Sequence, residues 1–180
     1  MAWEFDTVHS EVGFAVKHMM VSTVRGRFRT FSGQIALDET RPSDSRVEVT
    51  IDTASVDTGN EMRDNHLRSA EFFDAANYPA ATFVSKRIED KGEGEYRVIG
   101  DLTLRGVTRE IPLTLSVEGP HRDMQGQRRL GIALTGSLSR KDFGLNYNPA
   151  LETGGFVVGD VVKLQIETEI FEPAQVASLA

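Results

Sequence analysis

The sequence predicts an all-β fold: a closed antiparallel β-barrel, or a tight two-sheet sandwich, of about eight strands, interrupted once by a helical excursion near residues 59–76. Three observations predict it. Apolar and polar residues alternate with period two along most of the chain. Each alternating run is apolar on one face only, as in antiparallel sheet wetted on one side. Short turn signals separate the runs. A flat sheet of this size would leave its edges unpaired and its apolar face uncovered, and closure removes both problems.

The elements follow in order. Val24, Gly26 and Phe28 share a face, but Phe31, Gly33, Ile35 and Leu37 are one residue out of step, which predicts a bulge or sharp bend. Val47, Val49 and Ile51 form the next apolar face. Thr58-Gly59-Asn60-Glu61 matches a capping box, with Thr58 as N-cap and Glu61 at the third helical position. A helix from about Glu61 to Ala76 then places Met62, His66, Ser69 and Phe73 near one face, with a kink at Ser69 and an end before Pro79. Lys91 to Gly94 reads as a turn. Two runs follow, through Tyr96, Val98, Gly100, Leu102 and Leu104 and through Val107, Ile111, Leu113, Leu115 and Val117, joined by a tight hairpin at Arg105-Gly106. Gly119 to Gly126 reads as another turn. The last faces carry Leu130, Ile132, Leu134, Gly136 and Leu138, then Val162, Leu164, Ile166, Thr168 and Ile170. Glycines inside strands, at 13, 26, 33, 100 and 136, mark bends or close approaches in a curved sheet. Residues 1–173 read as one domain and 174–180 as a short tail.

Composition excludes several functions. With 20 Lys+Arg against 27 Asp+Glu the net charge is −7, which argues against nucleic-acid binding and against a polybasic grip on an anionic membrane. The chain has no cysteine, so disulfide scaffolds, Cys-ligated zinc and thiol catalysis are absent. No apolar run is long enough to span a membrane as a helix. The first residues show no basic region followed by an apolar one, so the chain as given is expected to be cytoplasmic.

Chemistry-bearing motifs are sparse. Asp6, His9 and Ser10 suggest a nucleophile triad, but neighbours on an extended strand face opposite ways. His9, His18 and His66, with Asp64, are candidate metal ligands for an alternative reading as a metal-assisted enzyme; structural hydrogen bonds are the plainer role. Asp142-Phe143-Gly144 reads as a turn with an anchoring aromatic. Arg25, Arg27 and Arg29 share one sheet face, as a solvated or edge-protecting stripe or a landing site for an anionic head group. Aromatic residues cluster in the first half, at Phe14, Phe28, Phe31, Phe72, Phe73, Tyr78 and Phe83. With few bulky inward residues in the second half, a barrel of this kind leaves an apolar void, which is a hydrophobic ligand site. Ten residues of strand span about 33 Å, suited to a long, thin ligand.

Several strings, in order, resemble the YceI-like family of lipid-binding proteins: FDTVHSEVGFAVKHMMVSTVRGRF, RDNHLRSAEFFDAANYPAATF, YRVIGDLTLRGVTREIPL, RKDFGLN and GFVVGDVVKLQIE. The resemblance runs from about Trp3 to Phe171. It implies an extended lipocalin-like antiparallel barrel with a helical segment between strands, and an elongated apolar pore that takes a polyisoprenoid or isoprenoid-quinone-like lipid. It implies members that are commonly dimeric and often exported, and it brings no catalytic residues or cofactor. Relatives often have His where this chain has Arg105, and many carry a leader that this chain as given lacks. The resulting expectation is a non-enzymatic homodimeric carrier of a long-chain isoprenoid lipid, with Phe14, Phe28, Phe31, Leu67, Phe72, Phe73 and Phe83 as the wall and His18, Arg63 and His66 at a polar mouth. A structural or stress-response protein with a packed barrel is a further alternative.

Overall fold

Strands that are apolar on one face alone must turn that face from water, and here the sheet does so by curling on itself. The computed structural model describes residues 2–152 and 154–174. Its strands are β1 (Glu4–His18), β2 (Ser22–Phe28), β3 (Phe31–Ala36), β4 (Arg46–Asp52), β5 (Val56–Asp57), β6 (Ala80–Gly92), β7 (Glu95–Leu104), β8 (Val107–Arg122), β9 (Arg128–Ser139) and β10 (Val158–Phe171). One helix, α1 (Glu61–Arg68), lies between β5 and β6. The strands form one antiparallel sheet in the order β3-β4-β6-β7-β8-β9-β10-β1-β2-β5. The strand count exceeds the expected eight because β2 and β3 are halves of one bent strand and β5 has two residues. The tail expected after residue 173 lies, from residue 175 on, outside the described residues.

The bend falls at Arg29–Thr30, where the sequence changes phase. Arg29 N donates to Ser55 O at 3.1 Å and Thr30 O accepts from Asp52 N at 3.0 Å. The bent strand therefore leaves β1, where Val12 faces Phe28, and joins β4, where Phe31 faces Ile51. That exchange of partners brings the two sides of the curled sheet together. A second seam lies at the far end, where Trp3 bridges Ile35 and the Phe5 and Phe31 rings meet edge to face at 5.9 Å. Trp3, 4% exposed, packs with Leu130 and Ile170. The Arg128 guanidinium lies 5.4 Å over its ring and bonds to Glu39 at 2.5 Å and Glu172 at 3.2 Å.

β1 carries a wide bulge, since Asp6 faces Glu169 and Glu11 faces Glu167. Asp6 organises it. Its carboxylate accepts from Val8 N at 3.1 Å, His9 N at 3.2 Å and His9 Nδ1 at 2.9 Å, and Arg129 Nη1 lies at 2.7 Å. Burial pushes the Asp6 carboxyl up, but the hydrogen bonds from His9 and Arg129 outweigh it and hold the group at about 2.

Four expectations need correction. The helix is capped by Asn60, whose side chain accepts from Arg63 N at 3.0 Å. Gly59, at φ 78°, turns the chain so that Asn60 takes the extended conformation before the first helical residue. Thr58 instead donates through Oγ1 to buried Asp64 at 2.6 Å. The helix also stops at Arg68, because Ser69 is extended and bonds back to His66 O; residues 70–77 continue as turns that carry Phe72 and Phe73 inward. Met62 is solvent-exposed, away from the buried face. Finally, β8 runs through Gly119 to Arg122, and the reversal is confined to residues 123–127. Asp123 builds that turn by accepting from Gln125 N and Gln127 N, both at 2.9 Å. β7 begins at Glu95, opposite Ser116, so the missing N–H of Pro120 breaks no ladder on that side. The hairpin at Arg105-Gly106 and the turn ending at Gly94 fall where expected, and Phe143, 1% exposed, anchors its turn.

Two glycines permit close packing against the wall. A Cβ on Gly26 would collide with Phe14 Cζ, and one on Gly100 would meet Phe83 Cζ and Val84 O, both at 2.5 Å. Each phenyl ring therefore reaches over a glycine of the neighbouring strand. Gly100→Ala is expected to lower stability by about 1–3 kcal/mol, read as a lower urea midpoint at unchanged slope. Asp6→Asn is expected to be less stable than wild type at neutral pH. The wild-type advantage is present above the ordinary carboxylate value of 3.8 and lost as pH falls towards about 2, so the two urea midpoints converge over that window.

Candidate functional site

The inward face of the sheet encloses an elongated apolar cavity of about 690 Å³, within the usual range for small-molecule sites. It runs from Leu37, Glu39, Pro42 and Ser45 at the Trp3 end to His18, Arg63, His66, Tyr147 and Val157 at the other. Between them the wall is aliphatic: Val49 and Ile51 of β4, Leu102 of β7, Leu115 of β8, Leu134 and Leu138 of β9, and Leu164 and Ile166 of β10. These side chains point inward yet are only half-buried. They line open space instead of meeting across it, so the interior does not pack shut.

Every wall and mouth residue expected from the sequence borders this cavity: Phe14, His18, Phe28, Phe31, Arg63, His66, Leu67, Phe72, Phe73 and Phe83. They form separate groups. Phe14, Phe28 and Phe73 make a continuous row, with centroids 5.6 and 5.4 Å apart. Phe72 meets His66 edge to face at 5.0 Å and lies tilted to Tyr147 at 5.1 Å, and His66 meets Tyr147 edge to face at 4.8 Å. Phe31 sits by Phe5, and Phe83 lies on Gly100. Tyr78 is exposed and packs against the Arg105-Gly106 turn. Arg105 itself donates to Phe72 O at 2.9 Å, tying that hairpin to the segment after α1.

Helix α1 sets the mouth. Arg63 and His66, three residues apart, share a face. Arg63 is steered by Nε to Thr58 Oγ1 at 2.7 Å and Nη2 to Thr58 O at 2.9 Å. The His66 ring nitrogen Nε2 bonds to Glu71.

Arg140 is a buried charged lining residue that the sequence reading missed, as it missed Tyr147. Arg140 is 3% exposed and borders the cavity. Its guanidinium donates to Gly159 O at 2.8 Å, Leu145 O at 2.6 Å and Val158 O at 3.1 Å, and burial pushes its pKa down from the ordinary value. Among the described residues it has no carboxylate in salt-bridge contact. The signal was parity: Arg140 continues the inward series Leu134, Gly136, Leu138. Most of the aliphatic wall was legible in the same way.

The other motifs do not assemble a site. Ser10 Oγ donates to Asp6 O at 2.5 Å and lies 2.6 Å from Thr168 Oγ1, so Asp6, His9 and Ser10 pin the β1 bulge. His9, His18, His66 and Asp64 are not brought together. Among the described residues, the metal-compatible group is Asp6, His9 and Glu169, and Arg129 already bonds both of its carboxylates. In the arginine stripe, Arg29 and Arg27 pair with Asp57 at 2.5 and 3.8 Å.

Comparison with known proteins agrees with this geometry. Residues 3–170 match the YceI-like domain family. A UPF0312 protein of Staphylococcus epidermidis is 40% identical over 168 residues, covering 93% of this chain and 95% of the relative. The crystal structure of the Campylobacter jejuni YceI protein superposes with a TM-score of 0.75 at 34% identity, over 94% of this chain and 96% of that one. A polyisoprenoid binding domain from Saccharophagus degradans shares the fold, with a TM-score of 0.70 at 20% identity over 96% and 99% of the two chains. The chain belongs to the YceI-like family.

Proposed function

We propose that this protein is a non-enzymatic carrier or sequestering protein for a long-chain isoprenoid lipid held in the barrel lumen. The observation that carries the reading is the open interior: about 690 Å³ lined by inward apolar side chains that stay only half-buried. Such a surface gains about 0.8 kcal/mol per methylene buried, before ordering costs. A branched hydrocarbon chain suits it better than a polar substrate, because the polar lining residues gather at the two ends. Family membership and the polyisoprenoid-binding neighbour support the same ligand class.

The two ends differ in charge: Glu39 and Arg46 lie together at the Trp3 end, whereas among the described residues His18, Arg63, His66 and Arg140 meet no acidic lining residue at the mouth. Hydrocarbon fills the aliphatic middle, and the head group rests at the mouth near His18, Arg63 and His66, with Arg140 adding buried positive charge. The buried polar side chains are committed to structural bonds: Asp64 to Thr58, and Arg140 to backbone carbonyls. They position the wall and leave the lipid unaltered.

Titration with polyprenols of increasing length is expected to show affinity rising with each prenyl unit until the lumen is full, then levelling. Leu164→Trp places an indole in the middle of the lumen and is expected to weaken binding of the longest chain by about tenfold or more, roughly 1.4 kcal/mol, with the circular dichroism spectrum unchanged. Binding that ignores both chain length and Leu164→Trp, or no binding, overturns the reading.

A further inference from the structure

The cavity mouth ends in a tip that breaks two rules of surface and turn chemistry together. β1 passes to β2 through Met19, Met20 and Val21, with Val21 N donating to His18 O at 3.1 Å. Met19 and Met20 have φ of 50° and 62°. Consecutive left-handed residues are the place for Asn-Gly, and branched or long side chains there carry strain. The turns at Glu93-Gly94 and Arg105-Gly106 also begin with a long side chain in the left-handed region, at φ 55° and 51°, but each follows it with glycine, and the β1–β2 turn does not. Here the chain keeps two methionines and exposes them: Met20 is 61% and Val21 83% exposed.

A second apolar residue joins them from elsewhere in the sequence. Met19 N donates to Val157 O at 2.8 Å, and the Met20 side chain lies on Gly155. This sets Phe156, 57% exposed, beside the turn. Lys141 Nζ stands 6.0 Å from the Phe156 ring centroid. On the outer wall, Arg25 and Lys163 flank Ala15, and Lys17 lies between them and the turn. Among the described residues none of these four cations forms an ion pair. Asp142, Glu152 and Asp160 share this end of the barrel; Asp160 is held by Ser139 Oγ at 2.6 Å and Lys141 N at 3.3 Å. The tip is contiguous with the lumen, because His18 and Val157 border the cavity and flank Met19 in sequence and hydrogen bonding.

We propose that Met19, Met20, Val21 and Phe156 form a membrane-docking tip that inserts shallowly into a lipid bilayer, with Lys17, Arg25, Lys141 and Lys163 on anionic head groups. Exposed apolar loops rimmed by long cations fit the boundary between head groups and acyl chains. The net charge of −7 does not prevent this. At physiological salt the Debye length is about 8 Å, so head groups meet the charge of the tip and not that of the distant wall. This inference rests on lipid carriage only for its purpose: docking presents the mouth to the phase in which an isoprenoid dissolves.

The test is co-sedimentation with vesicles of equal parts phosphatidylcholine and phosphatidylglycerol, and with phosphatidylcholine alone. Wild type is expected to bind both, the anionic vesicles more tightly. The double variant Met19→Asn with Met20→Gly is expected to lose about tenfold or more in vesicle affinity while its melting temperature stays level or rises, since the turn receives its favoured residues. Phe156→Ser is expected to lose affinity with its fold intact. Both variants are expected to take up a polyprenol from detergent solution as wild type does. Unchanged vesicle binding in both variants overturns the proposal, as does a tip variant that only converts a dimer to a monomer. If wild type takes up polyprenol from detergent but ignores vesicles, the tip is refuted and carriage stands. If it binds vesicles but takes up no polyprenol, carriage is refuted and the tip stands.

Discussion

The structure depends on aromatic side chains being laid against the barrel wall instead of across it. Phe14 lies over Gly26 and Phe83 over Gly100, so rings that would fill the lumen become part of its lining. The inward residues of β9 and β10 are aliphatic apart from Gly136 and Thr168, and Leu134, Leu138, Leu164 and Ile166 among them stay half-buried. An ordinary core is close-packed to organic-crystal density, and this one leaves a continuous space. The buried packing lies along one side and at the far seam: Phe72, Phe143 and Leu145 join Ala81, Phe83, Val98, Ile111 and Leu113 of β6–β8, and Trp3, Leu130 and Ile170 close the other end. The middle of the barrel gives up packing energy that a ligand restores.

Polar groups follow the same division. Arg128 and Arg129 tie strands, turn and tail together around the Trp3 end. At the mouth, Arg63, His66 and Arg140 are positioned by hydrogen bonds to Thr58, Glu71 and backbone carbonyls. Among the described residues, the lining at the mouth carries cations and no carboxylate, whereas at the Trp3 end Arg46 is accompanied by Glu39. The lumen is directional, and the exposed methionine turn lies at its charged end.

Much of this was legible in the sequence, for identifiable reasons. Period-two alternation fixes which side chain points inward, so the wall from Leu102 to Ile170 follows from parity alone. The bend at Arg29–Thr30 was visible as a slip of phase between Phe28 and Phe31. What parity does not reveal is where chain segments distant in sequence meet. The Trp3–Ile35 bridge, the Met20–Gly155 contact and the carbonyl cage around Arg140 are long-range, and nothing local announces them. The cap was misread because Thr58 and Glu61 form a good capping box on paper, while Gly59 rotates the backbone and passes the cap to Asn60; the helix was overestimated at its other end, where Ser69 turns extended. Whether inward side chains meet depends on barrel diameter, and a list of apolar positions does not contain it.

The central claim is that the lumen holds a long hydrocarbon chain. The most direct measurement is a crystal structure of protein purified without added lipid, with the lumen density compared against mass spectra of the organic extract of the same preparation. The account requires continuous tube-shaped density from the wall of Leu134 and Leu164 to the mouth at His66 and Arg140, with an isoprenoid mass in the extract. A lumen filled by discrete ordered waters, or collapsed so that Leu134 and Leu164 meet Phe14 and Val49, would contradict it.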